Sequence, residues 1–441
     1  MNSRTQVPRE SGRSTAQTIA AAALIVFAAG LVADLVLWPR DQLPPVADVD
    51  QYRYFTKAFV ARAEEFRGLQ SWLAVGGALM FALLPLVLAL IWPRTREGVA
   101  LSRWSDRRSR ALLGRGRIPM HAVAASGVAL LALTAAFPFE LAMFTRAQNA
   151  GLAVQSASGW VGDWLLQTAL ILVAVALLAM LCGWLIGRLP RAWWAVFGGC
   201  LIALAMVFQL LAPVVIEPLF AEFKRVPDGQ LSKEVKQVAK SSGVDAGEIY
   251  TVDAAQRTTG ANAYVTGLGA TKRVVIYDTL VRDFKPDERR AVVAHEFGHA
   301  HYRDLLSGLV WFGFVAMFAL FAVDLAARRL AERRDIEFAS PAGTAMVLAV
   351  AILAIAISQP AANAWSRAIE ARADAFALAV TQKPDAAIAL ERRLTIQNIG
   401  RPEPPALLQF VFGTHPTPMQ RIGMATTVKR ELAAGRAEPI P

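Results

Sequence analysis

The chain has 441 residues, 55% of them hydrophobic and only 18% charged, with a formal net charge of +11. Soluble domains usually carry charge on about a quarter of their residues, so this composition excludes an ordinary soluble enzyme and points to a chain lying mostly in a membrane. The basic excess does not read as a nucleic-acid footprint, because the arginines gather in short loops beside apolar runs (Arg103, Arg107, Arg108, Arg110, Arg115 and Arg117 are one group), where lipid headgroups are the fitting partner.

Apolar stretches of about 20 residues mark membrane spans. Five are predicted at 17–38, 71–92, 120–143, 160–187 and 191–215, within an N-terminal membrane region, 1–215. The first follows Arg4, Arg9 and Arg13 but exceeds the roughly 7–15 residues of a signal-peptide core, so it is expected to be an uncleaved anchor. Cys182 and Cys200 lie inside apolar runs and read as small packing residues. Glu140, Asp163, Gln167, Gln209 and, further on, Asp324 interrupt the apolar runs. A charge at mid-bilayer costs about 2.5–3.5 kcal/mol, so together they favour a wet interior, although Asp163 and Asp324 taken singly suit span ends.

Residues 216–304 are mixed enough to fold outside the bilayer. There "LSKEVKQVAKSSG" reads as a helix ended by Gly243, "EIYTVDA" and "RVVIYDTL" as strands, and "NAYVTGLGA" as a further extended piece. "DFKPDERRAVVAHEFGHAHYRD" opens another helix, with Asp283 as the expected N-cap, Pro286 near the first turn, and Asp287 and Glu288 favouring the dipole. Spans at 305–326 and 341–362 form a hairpin, 305–362, so the C-terminal segment, 363–441, emerges on the same side as 216–304. The two segments can therefore build one site.

On the HEFGH helix, His295 and His299 are four residues apart and share a face, close enough to hold one cation. Glu296 can reach a water beside it. This is the H-E-x-x-H pattern of zinc hydrolases, and with only five histidines in the chain their concentration here favours a metal over two incidental surface histidines. A catalytic zinc takes a third protein ligand. The metzincin position for it holds Leu305, so the ligand lies elsewhere. In "NAWSRAIEARADAFALAV" Glu370 and Asp374 are four apart. Spacing allows Glu370 as third ligand with Asp374 orienting a histidine, and equally a solvated face on which both pair with Arg367 and Arg372. His301 lies about 200° around the helix from His299 and is expected to be structural. "NAYVTGL" could lend a free strand edge to a substrate backbone at Asn262, Ala263 and Tyr264, or be an ordinary buried strand.

HEFGH at 295–299, "SRAIEARAD" at 366–374, "GANAYVTGLG" at 260–269, "VVIYDTL" at 274–280 and "THPTPMQRI" at 414–422 together resemble, in order, the integral-membrane CAAX prenyl protease type 1 family. "IEPLFAEFKRVPDGQL" at 216–231 also fits that family, and the resemblance covers roughly 213–425. It implies a mainly α, polytopic membrane protein whose seven transmembrane helices form a barrel around a chamber, capped by a small α+β zinc-protease domain. It further implies one Zn2+ per chain on His295, His299 and Glu370, Glu296 as general base, Asp374 in support, His415 stabilising the oxyanion, and Arg421 pairing with carboxylates. The partners implied are a peptide or protein substrate, lipidated or not, and membrane lipids, with no nucleic acid.

Three other readings compete. A heat-shock-type quality-control protease shares the site but normally has fewer spans. A site-2-type protease buries HExxH in a span, against the charged "DFKPDERR" lead-in. A seven-span receptor or transporter with a vestigial site would not need all the proposed catalytic residues.

For orientation in a multi-pass cell membrane, basic residues in short loops mark the cytoplasmic side. They crowd the N-terminus, Arg94–Arg117, and Arg328, Arg329, Arg333 and Arg334, whereas the loop after the third span has only Arg146. Summed over these loops, charge places the zinc domain on the extracytoplasmic side. The resemblance implies a cytosol-facing site, with some support from Arg40, Arg53, Lys57, Arg62 and Arg67 after the first span.

Overall fold

The computed structural model describes residues 14–91, 118–267 and 269–435. Arg4, Arg9 and Arg13, the arginine-rich loop 94–117, Trp92 at the end of the second expected span, and Leu268 lie outside the described residues.

Five apolar helices come first: α1 (Thr15–Leu37), α2 (Lys57–Ile91), α3 (Ile118–Asn149), α4 (Ala157–Arg188) and α5 (Trp193–Leu211). A π-turn at Ala212–Ile216, with Pro213 buried in it, ends α5 and releases the chain into a small α+β unit. That unit holds β1 (Phe223–Arg225), α6 (Gln230–Ser241), β2 (Glu248–Val252), β3 (Ala263–Thr266), β4 (Arg273–Tyr277), α7 (Asp278–Asp283) and α8 (Pro286–His301). The apolar pair α9 (Asp304–Arg334) and α10 (Pro341–Thr381) follows, then α11 (Pro384–Gln397), α12 (Ala406–Phe412) and α13 (Pro418–Ala433). Seven of these helices are long and apolar enough to cross a membrane, at the places the sequence predicts.

Around the membrane region α3 packs on α2 and α4, α4 on α5, α5 on α9, α9 on α10, and α10 back on α2 and α3, with α1 laid against α9 and α10. The ring does not have a solid core along its length. On α5 the consecutive residues Met206, Val207 and Phe208 are 50%, 47% and 54% exposed, which at 100° per residue leaves about 200° of that helix uncovered. Such a helix is a stave with one face to lipid and one to a chamber. At one end the staves do converge: Cys182, Leu185, Ile186, Trp193, Phe197, Leu320, Val323, Leu330, Met346 and Val350 form a common buried cluster. Asp324 belongs there, accepting from Trp193 Nε1 (2.5 Å) and Arg328 Nε (2.7 Å). Cys182 is buried and both cysteines are free thiols.

The α+β unit sits at the opposite end. Its sheet has the order β1-β2-β4-β3, with β2 and β4 parallel and the outer pairs antiparallel. Val274, Val275 and Ile276 of β4 are fully buried, as a central strand requires, and Val274 and Ile276 pack with Ala291, Ala294 and Phe297 of α8. β3, with Tyr264 opposite Val275, is an edge strand. The membrane region braces the connection leading into β3: Asp163, in the second turn of α4, accepts from Arg257 and from Gln155 Nε2 (2.7 Å), which puts Asp163 near a span end.

Two local expectations change. Asp283 does not cap α8. It closes α7 and pairs with Arg282 (2.7 Å), while Lys285 is the N-cap, its backbone N–H donating to Glu288 (2.9 Å) ahead of Pro286. Arg62 and Arg67 are not in a loop, because α2 begins at Lys57. Arg67 Nε donates to the Ile399 carbonyl at 3.0 Å, tying the α2 extension to the C-terminal segment.

α10 has 41 residues, so it is about 60 Å long, twice the thickness of a hydrocarbon core. Its outer half crosses α8 closely. A Cβ on Gly298 would lie 3.2 Å from both Ala373 Cα and Phe376 Cδ1, so glycine sets the spacing of the two helices. Gly298→Val is expected to cost about 1–3 kcal/mol through overpacking, read as a lowered midpoint of thermal unfolding in detergent. An unchanged midpoint would show that the two helices are not held at this distance.

Candidate metal centre

The crossing of α8 and α10 brings His295, His299 and Glu370 together, with one ligand atom from each lying within 4.8 Å of the others. The two Nε2 atoms are 3.2 Å apart. Glu370 Oε2 is 3.0 Å from His295 Nε2, and its Oε1 is 3.6 Å from His299 Nε2. Each imidazole is oriented from behind: His295 Nδ1 lies 2.9 Å from Asp374, and His299 Nδ1 lies 2.9 Å from Asp304. A carboxylate only accepts, so both Nδ1 atoms carry the proton and both Nε2 lone pairs point into the space between them. Glu370 Oε2 is buried there without a hydrogen-bond partner. Three lone-pair donors converging in a buried pocket repel one another unless a cation lies among them, so the residues present fit a metal ion.

Asp374 is itself gripped by Arg421, whose Nε and Nη2 donate to its two oxygens at 2.8 and 2.6 Å. Arg421 also reaches Glu391 on α11 at 2.9 Å. Glu370 and Asp374 therefore do not pair with Arg367 and Arg372. Arg367 donates to the carbonyls of Gln409 (3.0 Å) and Gly413 (2.5 Å), and Arg372 to Asp304 and to Asp41 (3.2 Å). His415 follows α12, half-exposed, with Nε2 3.4 Å from Glu370 Oε2 and Nδ1 2.8 Å from Thr414 Oγ1. His301 packs against Phe376 with ring centroids 4.8 Å apart and the rings tilted by 36°.

Glu296 is half-buried beside the ligands. Burial pushes its carboxyl above the usual range, while His295 and His299 pull the other way, and it accepts a hydrogen bond from the backbone N–H of Val265. That bond comes from the outer edge of β3. The Asn262 carbonyl accepts from Tyr277 N at 3.0 Å, so backbone alternation turns the even-numbered residues of this segment toward β4 and leaves the groups of Ala263 and Val265 outward. Tyr264 faces away, its hydroxyl donating to Glu217 at 3.0 Å. Sequence reasoning missed Asp304, Arg372 and Glu391. Asp304 reaches His299 only because Arg303 adopts a left-handed φ of 57° between α8 and α9, and no spacing rule signals that turn.

Fold and site together define an integral-membrane metallopeptidase. The sequence model of peptidase family M48 matches residues 225–429, and that of the CAAX prenyl protease N-terminal region with five membrane helices matches 70–222. The chain belongs to this family of membrane peptidases. It is 25% identical over 305 residues to the uncharacterized metalloprotease YhfN of Bacillus subtilis, covering 67% of this chain and 70% of that protein. It is 28% identical to the probable CAAX prenyl protease 1 of Schizosaccharomyces pombe, over 53% of this chain and 50% of that one. Over 26% of this chain and 27% of its relative it is 38% identical to CAAX prenyl protease 1 of Saccharomyces cerevisiae. The fold is shared with S. mikatae Ste24p at a TM-score of 0.70 and 20% identity, over 94% of this chain and 99% of that one.

If Asp304 orients His299, Asp304→Ala is expected to weaken metal binding about 10–100-fold in competition titrations against a chromophoric chelator. Affinity equal to that of the wild type would remove Asp304 from the metal centre.

Proposed function

We propose that the protein is a zinc-dependent endopeptidase that cleaves hydrophobic, membrane-associated or lipidated, CAAX-like polypeptides. The observation that carries this reading is the position of Glu296, wedged between the two histidines and the outer edge of β3 by its bond to Val265. A base in that place meets a peptide laid along the strand. Zinc is the fitting metal: two histidines and a glutamate are a catalytic zinc set, and tetrahedral bonds of about 2.0–2.1 Å put ligand atoms roughly 3.3 Å apart, close to the 3.0, 3.2 and 3.6 Å separations here. The CAAX specificity is suggested by the names of the yeast relatives.

In this reading the membrane region 1–215 and the hairpin 305–362 form the chamber, and 216–304 with 363–441 supply the peptidase site. Substrate backbone adds alongside the segment Asn262, Ala263 and Tyr264 as a further strand, pairing with the outward groups of Ala263. His295, His299 and Glu370 would hold the zinc, which when bound would supply Lewis acidity toward the water and the scissile carbonyl. Glu296 takes the proton of the attacking water and delivers it to the departing amine. His415 donates to the oxygen on which negative charge develops. Arg421 keeps Asp374 ionised and in place, and Asp374 keeps His295 in the Nδ1–H tautomer.

Hydrolysis of a hydrophobic fluorogenic peptide in detergent, abolished by chelation and restored by zinc, tests the activity. Glu296→Gln is expected to keep zinc and fold yet lose at least about 10² in turnover, and an active, zinc-loaded Glu296→Gln protein would refute the base assignment. For orientation, loop charge supports an extracytoplasmic site. The basic groups of 94–117 and of Arg328–Arg334 are separated from the α+β unit by an odd number of spans. A cysteine at Gly243 should then react with an impermeant maleimide in intact cells and one at Arg108 only with a permeant reagent, while the reverse pattern places the site in the cytosol.

A further inference from the structure

The face of β3 turned away from the metal ligands is held by one carboxylate. Ala263 and Val265 point into the core shared with α8, so Tyr264 and Thr266 project from the opposite face. Glu217, immediately after the π-turn that ends α5, accepts from Tyr264 Oη at 3.0 Å and from Thr266 Oγ1 at 3.4 Å. It also accepts from Arg273 Nη2, on the neighbouring strand, at 2.9 Å. Arg273 in turn donates to the carbonyl of Pro213 inside the π-turn, and its guanidinium lies 4.7 Å from the Phe223 ring and 5.4 Å from that of Tyr250. Burial and then the adjacent Glu217 push the Tyr264 phenol up, so it remains protonated and donates. None of these groups lies among the metal ligands.

We infer that Glu217 is a positioning residue: it sets the pose of the edge strand β3 against Glu296 and locks that strand to the end of the fifth membrane helix. The inference rests on β3 being the strand that takes the substrate. β3 has four residues and a ladder on one side only, which fixes its register but leaves it free to roll about the hydrogen-bonded edge. Two alternate side chains tied to one carboxylate restrict that freedom, because a roll moves both hydroxyls together, away from Glu217 in one direction and into it in the other. The Val265 N–H that meets Glu296, and the outward groups a substrate would pair with, then hold a constant pose. Tyr264 thus acts through its backbone in the ladder to β4 and through its hydroxyl in the anchor.

Steady-state kinetics on zinc-loaded full-length protein, with fluorogenic peptides of increasing length, test this. Glu217→Ala is expected to raise KM about tenfold on peptides spanning both sides of the scissile bond, with kcat within about threefold and zinc content unchanged, as befits lost uniform binding after removal of a buried acceptor. Glu217→Gln retains an acceptor oxygen for Tyr264 and Arg273, with an amide N–H that can donate to Thr266 Oγ1 instead, and should stay within about threefold of the wild type. Tyr264→Phe, a milder change that serves if Glu217→Ala does not fold, should raise KM about threefold. Unchanged KM in Glu217→Ala and Tyr264→Phe would overturn the inference. So would a loss confined to kcat, the mark of fewer folded molecules. A wild-type protein that hydrolyses none of the peptides would instead remove the substrate-strand reading itself.

Discussion

The structure depends on one electrostatic constraint: two imidazole lone pairs and a carboxylate are forced together where α8 crosses α10. Left alone, Nε2 atoms 3.2 Å apart beside a buried, unpartnered carboxylate oxygen would be repulsive, so this arrangement has to be imposed by its surroundings. Gly298 allows the helices to approach, Asp374 and Asp304 fix the rings from behind, and Arg421 and Arg372 fix those carboxylates in turn. Each layer supplies the charge that the layer inside it needs. The result is a site whose geometry is settled before any ligand arrives, the condition under which preorganised donors are most effective.

The same crossing joins the membrane region to the chemistry. α10 is a span over its first half and, continuing without a break to Thr381, carries Glu370 and Asp374 on its second. α9 begins at Asp304, which touches His299, and α5 ends in the π-turn from which Glu217 reaches β3. Three membrane helices therefore end on three different parts of the site. At the end opposite the α+β unit the membrane helices pack together in the cluster around Trp193 and Asp324.

Much of this was legible in the sequence because the signals were strong and local. Seven apolar runs correspond to seven long helices, and the HEFGH pattern lies on a helix because Pro286, Asp287 and Glu288 suit a helix start and a four-residue spacing puts His295 and His299 on one face. Spacing alone could not decide between two settings for Glu370 and Asp374. The structure turns them toward the histidines, since Arg367 and Arg372 are occupied by carbonyls and by Asp304 and Asp41. What stayed hidden depended on tertiary placement: the short strand β1, the left-handed turn at Arg303 that delivers Asp304, and the continuation of α10 past the fall in hydropathy near residue 362. Hydropathy falls there because the helix leaves the bilayer, and a hydropathy window cannot tell that from the end of a helix. Asp283 was a sound N-cap by residue type, but α7 used it first.

X-ray absorption at the zinc K-edge of the purified, zinc-loaded protein tests the account most directly, because it reads the ligand shell itself. The geometry at His295, His299 and Glu370 predicts a shell of two imidazole nitrogens and light oxygen ligands at about 2.0–2.2 Å, four- or five-coordinate. A sulfur shell at about 2.3 Å, or a spectrum without imidazole scattering, would contradict it.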